Sequence, residues 1–246
     1  MLKATKTQRD AAFVPRHELA LFADRLARAT PHQIIAAAAQ SMPERLAVVS
    51  SFGTESAVLL KLVADVDRSL PILFVDTLWL FKQTLAYRDK LVAHLGLSDV
   101  RTVTPPPSAL ALHDAKRDLC FTDRDACCGI RKVAPLAKEL EAFDGWISGR
   151  KRYQGGERAR LAVVEADGRR LKFNPLAHAS RAEINAIFAA AGLPRHPLEL
   201  AGFASVGCIP CSSRSQADAP RDGRWSGLAK TECGIHAGAL GAPAVS

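Results

Sequence analysis

Short apolar segments rich in β-branched residues alternate with helical patterns in the first half of the chain. Three such segments, residues 45–50, 71–76 and 100–104, are predicted strands, and residues 57–64 and 80–95 between them are predicted helices. Strands that are apolar along their whole length are buried on both faces, which is typical of parallel sheets covered by helices. The chain is therefore predicted to form one α/β domain, a Rossmann-like parallel-sheet sandwich.

The remaining segments extend this pattern. Residues 17–41 predict two helices, the second opened by Thr30 as its cap and Pro31 in its first turn, within a helical lead-in at residues 1–44. After a proline-rich break, the later patterns predict a helix at residues 123–143, strands at 146–150, 161–165 and 170–174, and a helix at 181–191. The main domain is predicted to span residues 45–236, followed by a mobile, small-residue tail at 237–246 within a flexible C-terminal segment.

Small polar residues follow the first two predicted strands. Ligands of parallel sheets bind beyond the carboxyl ends of the strands, and the start of the following helix suits a phosphate or sulfate. The candidate ligand residues are Ser50, Ser51, Gly53, Thr54, Glu55, Ser56, Asp76 and Thr77. The first loop lacks both common glycine-rich phosphate-binding patterns, so an ordinary turn remains an equal alternative.

Composition narrows the class of protein. The formal net charge of +8 indicates an anionic partner, which could be nucleic acid, a nucleotide or an acidic protein. No segment approaches the roughly 18 apolar residues of a membrane span, and the N-terminal residues do not resemble a secretory signal. A cytoplasmic protein is expected, and there the six cysteines are more often metal ligands or catalytic groups than disulfides.

Two cysteine pairs stand about eighty residues apart. Cys127 and Cys128 are adjacent at a predicted helix start, and Cys208 and Cys211 form a Cys-x-x-Cys pair. Four thiolates fit a metal site, and the adjacent pair favours a [4Fe–4S] cluster over zinc, whose ligands are usually separated by two to four residues. The plain alternative is a set of buried packing cysteines.

Cations accompany these cysteines. Arg131 and Lys132 each follow one cysteine of the adjacent pair by four residues, which places them on the same helix face. An anionic cluster would be stabilised by both side chains.

Cys233 lies in a different context, a polar stretch near the C-terminus. A thiolate is the nucleophilic form of cysteine, and neighbouring cations stabilise it. Eight Lys or Arg residues lie between positions 150 and 172, and Arg221 and Arg224 follow later. Such runs are usually solvated surfaces, but here they follow a predicted strand end where an anion would bind. Cys120 has no comparable context and is interpreted as either a core residue or a bystander without a role in the site.

Taken together, these motifs resemble a known family. The two cysteine pairs, Arg221-x-Gly-Arg224-Trp225 and Glu232-Cys-Gly-Ile-His236 are similar to those of the assimilatory adenylyl-sulfate (APS) reductases, within the wider APS/PAPS reductase family. The resemblance covers about residues 45–236. It implies an adenine nucleotide α-hydrolase-like fold, a [4Fe–4S] cluster, and reduction of adenylyl sulfate to sulfite and AMP with thioredoxin as electron donor.

The resemblance also implies residue roles. The four paired cysteines, Cys127, Cys128, Cys208 and Cys211, match the cluster ligands, and Cys233 matches the catalytic nucleophile. The residues matching substrate-binding groups are Lys132, Arg158, Arg221, Arg224 and His236, with Arg160 an alternative to Arg158. The implied reaction forms a Cys233 S-sulfonate that thioredoxin resolves, and the cluster is expected to position Lys132 without changing its oxidation state.

Two alternatives remain at this point. One is a PAPS reductase, whose substrate carries an additional 3′-phosphate. The other is a non-enzymatic iron–sulfur or zinc protein that binds nucleotide or nucleic acid. The sequence shows no basic helix with interleaved aromatic residues and no nucleic-acid-binding motif, so neither a nucleic-acid nor a membrane partner is expected. A homo-oligomer stays open.

Overall fold

The computed structural model describes residues 16–216, 219, 221–225 and 232–236. The α-helices are α1 Arg16–Leu26, α2 Pro31–Ser41, α3 Ser56–Val66, α4 Lys82–Leu95, α5 Pro107–His113, α6 Leu119–Thr122, α7 Arg124–Cys128, α8 Ala134–Glu139, α9 Arg181–Ala190 and α10 Pro197–Leu200. The strands are β1 Leu46–Ser50, β2 Ile72–Val75, β3 Val100–Val103, β4 Gly145–Ser148, β5 Val164–Asp167 and β6 Arg170–Phe173. None of the helices in this part of the chain is long and apolar enough to cross a membrane.

The six strands form one sheet in the order β3-β2-β1-β4-β6-β5. All neighbours pair in parallel except β5, which forms an antiparallel hairpin with β6. The predicted parallel sheet is therefore confirmed. Strand β1 lies between β2 and β4. The chain continues from β1 to β2 and β3 on one side and then crosses to β4 on the other side. This reversal opens a crevice at the carboxyl end of β1, where ligands bind in folds of this kind.

Side chains alternate between the two faces of the sheet because successive residues of a strand point in opposite directions. Val48, Ile72 and Phe74 contact one buried core, which α1, α2, α3, α4 and α9 complete. Ala47 and Leu73 contact a second core, formed with α8 and the turn after it. The expected helices on both faces are thus present, and the helical lead-in packs into the same core as the sheet.

The first predicted cap is confirmed at α2. Thr30 Oγ1 accepts a hydrogen bond from Gln33 N, Gln33 Oε1 accepts one from Thr30 N, and Pro31 occupies the first turn. These contacts satisfy backbone donors that a helix start leaves open.

The helix predicted at residues 123–143 is present but is not regular. It begins at Asp123, whose side chain accepts from Asp125 N and Ala126 N, and passes through a π-helical turn, Gly129–Val133, into α8. Pro135 has no N–H to donate to the carbonyl four residues earlier, and the irregular turn lies just before it. The simple four-residue spacing assumed for Arg131 and Lys132 is therefore altered.

Two predicted strands have clearly different bounds: β5 begins at Val164 and ends at Asp167, and β4 begins at Gly145 and ends at Ser148. Residues 161–163 are not strand, because the carbonyls of Leu161 and Ala162 accept from Arg152 Nε and Asn174 Nδ2 instead of from a neighbouring strand. Strand β4 ends at Ser148, which leaves Gly149 and Arg150 in the loop that enters the crevice. The boundaries proposed for the lead-in, main domain and tail stay predictions, and residues 237–246 lie outside the described residues.

Candidate functional site

A cavity of about 200 Å³ lies at the carboxyl ends of β1, β2 and β4. Its lining includes every predicted ligand residue except Asp76: Ser50, Ser51, Gly53, Thr54, Glu55, Ser56, Thr77, Lys132, Arg158, Arg221, Arg224, Cys233 and His236. The Asp76 carboxylate instead accepts a hydrogen bond of 2.8 Å from Leu78 N and shapes the turn after β2. The crevice expected from the sheet order therefore brings together residues from five separate parts of the chain.

The loop after β1 is held from below by an aromatic side chain. Phe52 has a positive φ of 48° and is fully buried, with its ring 5.3 Å from that of Phe74. Phe52 N donates to Ser50 Oγ, and Thr54 Oγ1 donates to the carbonyl of Ala204. These contacts fix the loop so that its small polar residues line the cavity.

The Glu55 carboxylate is occupied by contacts with other side chains of the protein. It accepts from Tyr153 Oη at 2.5 Å and Gln154 Nε2 at 2.9 Å, and its carboxylate lies 3.1 Å from Lys151 Nζ. Burial raises the pKa of Glu55, but Lys151 and the Tyr153 hydrogen bond outweigh that effect and lower it. Glu55 therefore joins the loop after β4 to the start of α3, a role that its sequence position did not reveal.

Arg158 and Arg221 converge on one carboxylate. Glu232 accepts from Arg158 Nε at 2.5 Å and Nη2 at 2.8 Å, and from Arg221 Nη2 at 3.3 Å. Burial raises the pKa of Glu232, but its contacts with both arginines lower it overall. Burial and the neighbouring Arg158 charge lower the pKa of Arg221 to about 10. Arg160 is exposed and is not part of the cavity lining, so Arg158 is the better candidate of the two.

Cys233 directly precedes the short 3-10 turn Gly234–His236. Ligand atoms of Glu232, Cys233 and His236 lie within 4.8 Å of one another. The imidazole of His236 stacks on Trp146 with ring centroids 5.8 Å apart. Burial lowers the pKa of His236 well below its usual value, and Lys172 and three arginines lower it further. These effects favour the neutral imidazole of His236, one of the residues that the resemblance matches to substrate binding.

Trp146 stacks on His236, which lines the cavity, and Lys172 lies over Trp146; the sequence did not single out either residue. They are register partners on β6 and β4, and Lys172 Nζ lies 4.8 Å from the centre of the Trp146 ring. Burial, together with the nearby Arg150, lowers the pKa of Lys172 to about 8. Only the strand order could have revealed this pair, because β4 and β6 are not consecutive in the chain.

A second, smaller cavity of about 10 Å³ lies directly beside the first. It is lined by five cysteines and by other side chains: Cys120, Cys127, Cys128, Cys208 and Cys211, with Trp79, Arg124, Arg131, Lys132 and Pro210. The four predicted cluster ligands are therefore brought together, although about eighty residues separate the two pairs. All five are buried, free thiols.

Lys132 and Cys208 line both cavities. Burial lowers the pKa of Lys132, but the thiols of Cys208, Cys128 and Cys233 outweigh this and raise it. Burial raises the pKa of Cys208, but Lys132 and a hydrogen-bonding contact of 3.2 Å with Thr77 Oγ1 lower it overall. Lys132 therefore lies between the cysteine cavity and the first cavity.

The cysteine cavity fits an anionic group that accepts hydrogen bonds. Three buried donors around it, Trp79 Nε1, Arg124 Nε and Arg131 Nε, have no acceptor within the described part of the chain. Bridging sulfides of an iron–sulfur cluster accept such bonds.

Tetrahedral zinc would hold its sulfurs about 3.8 Å apart. Among the described residues, no three of these cysteines have sulfurs that all lie within 4.8 Å of one another. The donor set suits a cluster better than a single zinc ion.

The parallel sheet with its crevice defines the chain as an α/β protein of the adenine nucleotide α-hydrolase-like class. The fold matches the crystal structure of phosphoadenylyl-sulfate (PAPS) reductase from Candida auris in a phosphate complex with a TM-score of 0.67 and 21% identity, covering 81% of this chain and 98% of that one. Residues 45–214 match the family model of the phosphoadenosine phosphosulfate reductase domain. The chain therefore belongs to the phosphoadenosine phosphosulfate reductase family.

Relatives within this family carry two names. An adenosine 5'-phosphosulfate reductase of Mesorhizobium japonicum is 45% identical over 212 residues, with 85% of this chain and 84% of the relative covered. One from Chelativorans sp. is 48% identical over 192 residues, covering 78% of both chains. A phosphoadenosine 5'-phosphosulfate reductase of Gloeobacter violaceus is 38% identical over 214 residues, covering 84% of this chain and 88% of the relative.

Proposed function

We propose that this protein is a thioredoxin-dependent adenylyl-sulfate reductase of assimilatory sulfate reduction. The observation that carries the proposal is the position of Cys233, a half-buried thiol in a cavity with Lys132, Arg158, Arg221 and Arg224, beside a second cavity lined by the four paired cysteines. Reduced thiols suit the cytoplasm, where reduced thioredoxin is available.

The cations offset the electrostatic repulsion in this reaction, because a thiolate must approach an anionic sulfonucleotide. Arg158 and Arg221 present guanidinium groups that bind phosphate or sulfate oxygens in a bidentate manner. Arg224 is fixed by donating from Nε to the Cys211 carbonyl at 3.0 Å, which directs it from the cysteine cavity toward the first cavity. The loop after β1 would then face the nucleotide.

In the proposed reaction, the Cys233 thiolate attacks the sulfur of adenylyl sulfate and displaces AMP, which leaves with the bonding electron pair. The product is a Cys233 S-sulfonate. A thiolate of reduced thioredoxin attacks the Cys233 sulfur, releases sulfite and forms a mixed disulfide. The second thioredoxin cysteine then resolves this disulfide and regenerates the Cys233 thiolate. The protein's cations hold the negative charges throughout.

Cys127, Cys128, Cys208 and Cys211 would hold a [4Fe–4S] cluster. When bound, a cluster with four thiolates supplies a net charge of roughly −2 that stabilises the buried ammonium of Lys132. The separation of the cysteine sulfurs and the unpaired N–H donors around the cavity support this assignment over zinc. Iron analysis and absorbance at about 400 nm test the cluster assignment.

Sulfite release in the presence of reduced thioredoxin tests the activity. We expect sulfite from adenylyl sulfate, none from the Cys233→Ser variant, and retained AMP binding in that variant. A mass increase of one SO₃ group on Cys233, in the absence of thioredoxin, is expected for the wild type only. Full activity of Cys233→Ser would overturn the mechanism.

The same assay distinguishes the second candidate. Faster sulfite release from the 3′-phosphorylated nucleotide would make the protein a PAPS reductase, the name that the Gloeobacter violaceus relative carries. The four paired cysteines favour adenylyl sulfate, because the family resemblance implies that cluster cysteines usually accompany this substrate and this chain has all four. Sulfite from neither nucleotide would favour a non-enzymatic iron–sulfur protein.

A further inference from the structure

The cysteine cavity contains one thiol more than a four-ligand cluster requires. Cys120 lines it together with the four paired cysteines and is the most deeply buried of the five, with 1% of its surface exposed. The proposed function gives this residue no role.

The position of Cys120 is fixed by a buried ion pair. Asp114 pairs with Arg131, and the two side chains are 0% and 3% exposed. The other oxygen of Asp114 accepts from Leu119 N at 3.0 Å, at the start of α6. Because Arg131 follows Cys127 and Cys128 on the same irregular helix, this carboxylate holds α6, and with it Cys120, against the segment that carries the adjacent cysteine pair.

Cys120 also lies near the second pair. Helix α6 contacts both α7, which carries Cys127, and the 3-10 turn Ile209–Cys211. Cys120, Cys127 and Cys211 line the same small cavity. The extra thiol is therefore close to one cysteine of each pair.

A packing role explains most buried cysteines, but it fits this one poorly. Cys120 belongs to none of the three apolar clusters formed by the described residues. Its cavity is bordered by Arg124, Arg131 and Lys132, so it faces cations and thiols. Packing alone would not require a thiol at this position, because a small apolar residue would fill the same space.

We propose that Cys120 is a reserve ligand of the cluster site, able to replace Cys127 or Cys211 when either is lost. The inference rests on the cluster of the proposed function. Replacement needs no oxidant or reductant: an iron–thiolate bond to one cysteine is exchanged for a bond to Cys120, and the Cys120 proton passes to the released thiolate. In a variant that lacks the original cysteine, the proton goes to solvent.

Iron and acid-labile sulfide per chain, measured after anaerobic purification, test the proposal. We expect Cys120→Ser to keep the wild-type iron content and unfolding midpoint. Cys127→Ser and Cys211→Ser should each retain most of their iron. Adding Cys120→Ser to either variant should lower the iron content about tenfold.

Cys208→Ser provides the matched control. Cys208 lies at Thr77 and Lys132, so its loss should remove iron to the same extent with or without Cys120. Equal iron in the single and double variants at position 127 and at position 211 would overturn the reserve role, as would loss of iron from Cys120→Ser alone. Wild-type protein without iron would refute the cluster itself, and with it this inference.

Discussion

Arg158 and Glu232 lie 74 residues apart in the chain and meet through two hydrogen bonds, of 2.5 Å and 2.8 Å. Glu232 directly precedes Cys233, so this ion pair positions the segment that carries the proposed nucleophile. The same guanidinium is a candidate for binding the substrate anion. Carboxylate and substrate cannot both bind its bidentate face, so Glu232 would compete with a substrate anion for Arg158.

Replacing Glu232 with Gln should separate binding from chemistry. Without the competing charge, a larger fraction of the protein is ready to bind, and AMP affinity should rise roughly tenfold. Formation of the S-sulfonate should slow, because Cys233 is no longer held beside the cations. Equilibrium dialysis with AMP and single-turnover kinetics measure the two effects. Glu157→Gln, which removes an exposed carboxylate next to Arg158, should change neither. An unchanged or weaker AMP affinity in Glu232→Gln would contradict the competition.

Gly207 is predicted to control the position of Arg224. A Cβ atom at this position would lie 2.5 Å from Arg224 Cζ, so the guanidinium must move. Because the obstacle is the end of a flexible side chain, the fold should tolerate Gly207→Ala, while affinity for adenylyl sulfate should fall about tenfold through the lost anion contact.

The matched control for this substitution is Gly129→Ala, since nothing lies within 4 Å of a Cβ built on Gly129. Its KM should equal that of the wild type. In a Gly207→Ala/Arg224→Ala double variant, the two losses should not add, because both act on one contact. Additive losses would show that Gly207 acts in some other way.

His196 should make the protein sensitive to acid. It is fully buried, accepts from Leu198 N through Nδ1, and has Nε2 3.1 Å from Thr84 Oγ1, so the ring is neutral. Burial lowers its pKa from 6.5 to about 4. Between these pH values the unfolded chain binds the proton and the folded chain does not. Stability present above pH 6.5 is therefore lost as the pH falls toward 4, by about 3 kcal/mol.

Urea unfolding between pH 4 and pH 7 measures this loss. His196→Gln should lower stability at pH 7 but flatten the dependence on pH, because glutamine does not titrate. The exposed His94, replaced in the same way, should leave the wild-type curve unchanged. A His196→Gln curve as steep as that of the wild type would assign the acid sensitivity to other groups.

The sequence was sufficient to predict a parallel sheet and the polar residues that face its crevice. Continuous apolar strands indicated burial on both faces, and residues after β1 and β2 fell at the crevice because carboxyl ends of parallel strands share an edge. The convergence of Cys127 and Cys208 followed from ligand chemistry and the family resemblance. These features depend on local pattern or on motifs, which a single sequence contains.

Other features depend on pairings that no local pattern encodes. Lys172 lies over Trp146 because β6 is the neighbour of β4, and the sequence does not contain the strand order. In the sequence, Glu232 was notable only as the neighbour of Cys233, and its ion pair with Arg158 is visible only in the fold. Cys120 was interpreted as a core residue or a bystander, because its cavity exists only after α6, α7 and the turn at Ile209–Cys211 are packed together.

The arrangement also has a consequence for how the protein is made. All six strands are complete at Phe173, and Cys233 follows about sixty residues later. At ordinary rates of synthesis this interval lasts roughly 3 to 12 seconds, and N-terminal parts of a chain generally fold first. The sheet edge and Arg158 can therefore be in place before the ribosome adds the nucleophile. The proposed nucleophile is thus the last of the six cysteines to be synthesised, and its surroundings can already be folded.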